Sequence, residues 1–206
     1  MTPASPYARS LDQCVAQIDR SLAFKSALMN EFPADSLARH TPTLAKPFED
    51  AVGLFSSLGI PYALIGGIAA MVYGRARFTE DIDFVAAADH QAVLAAHSEA
   101  MQAHRFDPQC TWKLYHDSGI EIDVWKDEHS DGIAARAREV QWGNTTVRVA
   151  EVHDLIAMKL RAGRLQDDYD ISEILKKTPL VEETLRALVT QEEFARFEAI
   201  KKRVGH

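Results

Sequence analysis

The sequence predicts an α/β fold, a short mixed β-sheet flanked by helices with helical N- and C-terminal parts, and three observations carry that expectation. A run of strand length, Tyr62 to Ile65, breaks at Gly66-Gly67 into an alanine-rich stretch that favours a helix. Two later segments, EDIDFV and GIEIDVW, alternate acidic and apolar residues with the two-residue period of a strand. After Glu151 the apolar residues recur at helical spacing instead. A chain of 206 residues with 47% hydrophobic content has apolar material for one core, or for one core with a small helical appendage.

Taken in order, Leu11, Val15, Ile18 and Leu22 lie at helical spacing behind Ser10 or Asp12 as a cap, which predicts a helix over about 10–29. Residues 31–47, with three prolines, read as an irregular connection. A second helix starts at Pro47 and stops at Gly59. The strand 62–65, the glycine pair and a helix over 68–73 ending at Gly74 come next, then a strand over 80–85 and a helix over 89–103. Strands over 111–115 and 119–125 flank the turn His116-Asp117-Ser118-Gly119, and TTVRV at 145–149 makes one more. The tail reads as helices over 151–162, 167–177, 180–189 and 191–203. This divides the chain into a helical lead (1–46), an α/β core (47–150) and a helical C-terminal part (151–206), with no repeat and no separating linker.

Composition narrows the function. No apolar run approaches the ~20 residues of a membrane-spanning helix, and the N-terminus lacks the basic start and apolar stretch of a signal peptide, so no membrane partner and a cytoplasmic location are expected. Cys14 and Cys110 have neither C-x-x-C spacing nor nearby ligand types and read as reduced structural thiols. A net charge of -7 argues against generic coating of nucleic acid. Arg75, Arg77, Lys159, Arg161 and Arg164 leave room for a local basic patch near the segments of interest.

Successive side chains of a strand point to opposite faces, so Asp81 and Asp83 project together while Ile82 and Phe84 enter the core. Paired carboxylates repel one another. They are tolerated on a solvated edge strand, the reading a lone D-x-D would favour, or where divalent cations bridge them through hard oxygen ligands. The second strand tips the balance, because Ile120, Ile122 and Val124 share one face and Glu121 and Asp123 the other. Carboxylates converging from two strands suit a cradle for two Mg²⁺ ions and phosphoryl transfer. Periodicity leaves open whether Glu121 or Asp123 is the third ligand. Gly66 and Gly67, placed between a strand and a helix, let a triphosphate approach the backbone near a helix N-terminus.

The stretch YALIGGIAAMVYGRARFTEDIDF resembles the signature of the nucleotidyltransferase-fold superfamily, in which Gly-Gly or Gly-Ser, a helix and D-x-D follow one another. A third aspartate of that family stands in an I-D-V context, which matches Asp123 and not Glu121. Downstream, EVHDLIAMKLRAGRLQDDYDISEIL is similar to the helical continuation of the small bacterial AbiEii-like members, D-L-I-x-x-K-x-x-A-G-R-x-K-D-x-x-D. Asp154, Lys159, Gly163, Arg164, Asp167 and Asp170 fit that form, and Gln166 stands where it has lysine. The resemblance covers about residues 60–175.

It implies a metal-dependent nucleotidyltransferase that moves a nucleoside monophosphate from a nucleoside triphosphate to an acceptor hydroxyl on RNA, protein or a small molecule. Asp81, Asp83 and Asp123 are then the catalytic and metal-binding residues, and Gly66, Gly67, Thr79, Arg75, Lys159 and Asp167 the nucleotide-binding ones. Bland readings compete at several of these positions: Lys159 as a lysine snorkelling along apolar surface, Asp167 and Asp170 as helix-start acids, Arg75 and Arg77 as solvated loop residues. An antitoxin or a second copy of the chain is the implied protein partner. The rival from another class is a catalytically silent module that uses the same fold only to bind, for instance as half of a toxin–antitoxin pair.

Overall fold

The computed structural model describes residues 10–30, 43–75, 79, 81–87, 101–107, 111–143 and 145–205. Its strands are β1 (Tyr62–Leu64), β2 (Ile82–Ala86), β3 (Met101–Asp107), β4 (Thr111–His116), β5 (Glu121–Trp125), β6 (Arg138–Trp142) and β7 (Thr145–Val149). They form one seven-stranded sheet in the order β3-β4-β5-β2-β1-β7-β6. The sheet is mixed: β2 runs parallel to β5 and β1 parallel to β7, whereas the other neighbours are antiparallel. The described helices are α1 (Leu11–Asn30), α2 (Ala45–Ser57), α3 (Gly66–Val72), α4 (Ser130–Arg136), α5 (Val152–Ala162), α6 (Leu165–Leu175), α7 (Glu182–Arg186) and α8 (Gln191–Val204). Among the described residues no helix is long and apolar enough to cross a membrane.

Alternation along β1 and β2 builds two apolar layers. Tyr62, Leu64, Ile82, Phe84 and Ala86 enter the main core, while Ala63, Ile65 and Val85 join a smaller cluster on the other face with Ile133 of α4 and Ala150. The main layer is held from outside by α2. Its Phe55 packs edge-on to Phe84 at 5.2 Å and stacks on Tyr62 at 5.1 Å, and Phe48 meets Trp142 edge-on at 4.6 Å. Leu11, Cys14, Val15, Ile18 and Leu22 of α1 are buried at the expected helical spacing. Asp83 sits between Ile82 and Phe84, so it lies on the Val85 face of the sheet, beyond the part that α4 covers.

The helical part docks on the end of α3. Thr178 Oγ1 donates to the Tyr73 carbonyl at 2.9 Å and Lys177 Nζ to the Gly74 carbonyl at 2.8 Å. On the other side the Arg136 guanidinium forks onto Asp154 of α5, with Nε–Oδ2 at 3.0 Å and Nη2–Oδ1 at 2.6 Å. This contact explains Asp154, which is 3% exposed and would otherwise be a buried charge without a counter-ion.

Three sequence expectations need correction. The helix expected over 89–103 falls largely on residues outside the described set, but its last three positions belong to strand β3, where pairing with β4 from Met101↔His116 to Asp107↔Thr111 overrides local helix preference. No element is expected between 125 and 145, yet α4 and β6 lie there. Strand β6 alternates half-buried Arg138, Val140 and Trp142 with exposed Glu139 and Gln141, but it has no fully buried position and only two apolar residues to mark it in the sequence. The helix expected over 180–189 is only the short α7. Arg77, Cys110 and residues 31–42 of the irregular connection lie outside the described residues.

Candidate active site

The parallel pairing of β2 with β5 sets Asp83 directly beside Asp123. Neighbouring strands lie roughly 4.8 Å apart, so a one-to-one register brings two like charges side by side on the same face. One strand further out, β4 places Lys113 opposite Asp123. Acid, acid and amine thus form a row across three strands. Lys113 Nζ donates to Glu121 Oε2 at 2.8 Å and lies 3.1 Å from Asp123 Oδ1. Its pKa is raised above the usual lysine value, first by the Glu121 hydrogen bond and then by Asp123.

Asp123 Oδ1 is buried and has no hydrogen-bond partner, so the nearby ammonium neutralises it as an ion without the alignment of a hydrogen bond. Glu121 belongs to the row's margin, with a side chain 43% exposed against 18% for Asp123.

The floor of the site is the turn from β1 into α3. Ile65 is extended and donates its N–H to the Asp83 carbonyl at 2.9 Å, and Gly66 follows with φ +63°. A Cβ on Gly66 would stand 1.9 Å from Asp83 Oδ2, and one on Gly67 2.9 Å from Thr79 Cβ. The glycine pair therefore lets the α3 turn close against the carboxylate strand, which is a requirement of packing and of backbone conformation together. Gly66→Ala is expected to lower folding stability by about 1–3 kcal/mol and to displace the Asp83 side chain. Chemical denaturation of the variant, followed by tryptophan fluorescence, measures this directly.

A cleft of about 530 Å³ opens above this floor. Asp81, Asp83 and Asp123 line one side, with Gly66, Gly67 and Thr79 beside them. Lys159, Arg164 and Asp167 of the helical part face them across it, and Trp125, Leu155 and Met158 supply an apolar wall. Arg75 is not among the lining residues. Its Nε donates to Asp170 Oδ1 at 2.8 Å, and its guanidinium lies 4.5 Å over the Tyr169 ring.

Lys159 is neither a snorkelling surface lysine nor an extended arm. It is 5% exposed, and its Nζ meets Asp170 Oδ2 at 2.6 Å and Asp167 Oδ1 at 3.4 Å. Arg164 Nε lies 2.8 Å from Asp167 Oδ2. The Arg164 pKa is raised chiefly by that hydrogen bond, with Asp83 and Asp170 adding to it through space. Asp167 is in the first turn of α6 but is 1% exposed and paired, and Asp170 is fully buried, so both belong to an internal ion network rather than to an exposed helix start.

Sequence reasoning did not single out Trp125, Met158 or Lys113. Trp125 was accessible to it, because it shares the Asp123 face of β5. Lys113 was not, since only the register of β4 against β5 brings it to the carboxylates.

Hard oxygen ligands on adjacent strands, one of them buried without a hydrogen-bond donor, suit a divalent cation in kind. Among the described residues, however, no three Asp, Glu, His or Cys side chains are gathered into a metal-binding group. Uncompensated carboxylates stand apart, and here Lys113 lies against one of them.

A mixed sheet with paired aspartates on neighbouring strands, a Gly-Gly turn beneath them and a helical tail across the cleft defines a nucleotidyltransferase-fold protein. The antibiotic-resistance factor ANT(2'')-Ia shares that fold, with a TM-score of 0.51, 14% identity, and coverage of 78% of this chain and 96% of that one. Residues 53–108 match the family described as nucleotidyl transferase AbiEii toxin, type IV TA system, a span that holds Gly66, Gly67, Asp81 and Asp83 and ends before Asp123. The lincosamide antibiotic adenylyltransferase LnuA aligns over 64% of this chain and 96% of its own at 15% identity, TM-score 0.46. An antigenic nucleotidyltransferase-like protein from Paracoccidioides brasiliensis aligns over 77% and 89% at 18% identity, TM-score 0.47. No curated protein matches the chain.

Proposed function

We propose that the protein transfers a nucleoside monophosphate from a nucleoside triphosphate to an acceptor hydroxyl, with Asp81, Asp83 and Asp123 as its reacting centre. The observation that carries this reading is the register of Asp83 beside Asp123, over a turn that only glycine allows. Asp81 and Asp83 would hold Mg²⁺, with Asp123 beside them as the third carboxylate of the site. When bound, two such ions would neutralise charge on the triphosphate and would make the acceptor hydroxyl more acidic. Gly66 and Gly67 bring the backbone at the start of α3 against Asp83 and Thr79 at the floor of the cleft, and Thr79, Lys159, Arg164 and Asp167 border the space for the phosphates. Trp125, Leu155 and Met158 offer the nucleobase an apolar wall.

Asp123 takes the proton of the acceptor hydroxyl. The acceptor oxygen bonds to the α-phosphorus, the bond from that phosphorus to the bridging oxygen breaks, and pyrophosphate leaves. The acceptor we favour is RNA, and the family that residues 53–108 match is described as a toxin of a toxin–antitoxin system, which makes an antitoxin the proposed protein partner.

The test is incubation of the pure protein with Mg²⁺, each labelled triphosphate and total RNA or small-molecule acceptors. Label transferred to an acceptor supports the enzyme. Binding of a triphosphate, seen as a ligand-dependent rise in Tm, with no transfer to any acceptor supports the silent module instead. Asp81→Asn and Asp83→Asn are each expected to weaken Mg²⁺-dependent triphosphate binding at least tenfold, the scale of losing one charged oxygen ligand, with little change in Tm. Calorimetric titration of both variants checks this, and wild-type affinity in both would move the metal site elsewhere.

A further inference from the structure

We infer that Lys113 is a tethered counter-ion of the metal site, a positioning residue that rests against Asp123 while no metal is bound and is drawn off by Glu121 when one binds. The inference rests on the proposed metal-dependent site and adds a residue outside the matched aspartates and glycines.

Three observations support it. The Lys113 ammonium is shared, with Glu121 Oε2 at 2.8 Å and Asp123 Oδ1 at 3.1 Å. The two contacts are unequal in kind, since the one to Glu121 is a hydrogen bond and the one to Asp123 leaves Oδ1 without a hydrogen-bond partner. Exposure also runs outward, from 18% for the Asp123 side chain to 43% for Glu121, so the ammonium has a wetter carboxylate to retreat to.

Strand register fixes this arrangement. Lys113 stands opposite Asp123, while Glu121, two residues earlier on β5 and paired with Tyr115, is its diagonal neighbour on the same face. Asp123 stands in turn beside Asp83 on β2, so without a nearby cation two acids would face each other across the strands. A lysine at that position offsets the repulsion and keeps the third carboxylate aimed into the cleft. An arriving divalent ion competes for the same oxygen, and Glu121 gives the displaced ammonium a partner.

The experiment is titration of the full chain with Mn²⁺, read by the loss of free-ion electron paramagnetic resonance signal, together with Tm in chelator. Lys113→Met is expected to tighten Mn²⁺ binding about tenfold, the scale of removing one competing charge at a half-exposed position. It is also expected to lower the metal-free Tm, with the loss recovered as Mn²⁺ saturates. Glu121→Gln leaves the ammonium with Asp123 alone and is expected to weaken binding about threefold.

In the double variant Glu121→Gln is expected to change nothing further, because it acts only through Lys113. Additive effects would mean two independent through-space charges and would overturn the inference, as would unchanged or weaker binding in Lys113→Met. If Lys113→Met does not fold, the Glu121→Gln arm decides, and undiminished affinity there overturns it. Absence of Mn²⁺ binding in wild type and variants alike overturns both this inference and the metal-dependent function, whereas binding by wild type that ignores both substitutions removes only the former.

Discussion

Asp123→Asn is expected to reduce nucleotide transfer by 10² or more while leaving much of the triphosphate affinity in place. The asymmetry follows from where the three aspartates stand. Asp81 and Asp83 flank Ile82 at the entrance of β2, so one ion on that pair can hold a triphosphate without help from β5. Asp123 sits one strand away, in register with Asp83 and beside Lys113, so its carboxylate is not needed to hold that first ion and is the base proposed for the acceptor hydroxyl. Asparagine keeps the size and one oxygen but not the basicity, and loss of a general base costs on the order of 10²–10⁴ in rate. Glu121→Gln, on the same face but at the margin of the cleft, is expected to cost far less. Labelled-nucleotide incorporation measured beside an equilibrium titration for each variant separates the two quantities. Equal transfer losses at 121 and 123 would remove Asp123 from its role.

The contrast between those two acids shows how far the sequence reaches. Alternation in GIEIDVW places both on one face of a strand, and the burial pattern of β5 follows that alternation. Alternation carries no information about which residue of another strand lies opposite, so it cannot rank Glu121 against Asp123. The resemblance at I-D-V ranks them, and the register Asp83↔Asp123 supplies a geometric reason for the same order. The Gly-Gly turn reads in the sequence as a place where a triphosphate approaches the backbone, and the structure puts something else against it. The Asp83 carboxylate stands there, a contact visible only in the fold because it joins the start of α3 to a strand more than a dozen residues away.

Elements with a regular period were the most legible: α1, α5 and α8 have the buried spacing that their sequences predict. Those stabilised by what they pair with were not. Strand β3 carries no clear alternation and exists through its ladder with β4, and β6 exists through its ladder with β7. Lys159 illustrates a different limit. Its position beside Leu155 and Leu160 offers a surface or a site reading, and no local pattern indicates that two aspartates from the next helix will enclose its ammonium.

Lys159→Ala is accordingly expected to act first on stability. The ammonium lies between Asp170, which is fully buried, and Asp167, which is 1% exposed. Removing one partner of a buried ion pair strands the other, at a typical cost of 3–5 kcal/mol. Arg75 remains on Asp170 and Arg164 on Asp167, so the lower end of that range applies. A loss of about 3 kcal/mol corresponds to a Tm lowered by roughly 6–12 °C for a chain of this size. Pairing Lys159→Met with Asp170→Asn tests the cause, because two members of one network lost together are expected to cost less than the sum of the single losses. Strict additivity would show that the two residues do not interact in solution. A second measurement addresses the nucleotide: triphosphate affinity of Lys159→Met, taken well below its Tm. A loss of about 1–3 kcal/mol in binding would mean that the ammonium also touches the phosphates across the cleft. Unchanged affinity with a lowered Tm would assign Lys159 wholly to the network that holds α6 against α5, and would leave Arg164, the more exposed cation of the same rim, to meet the triphosphate.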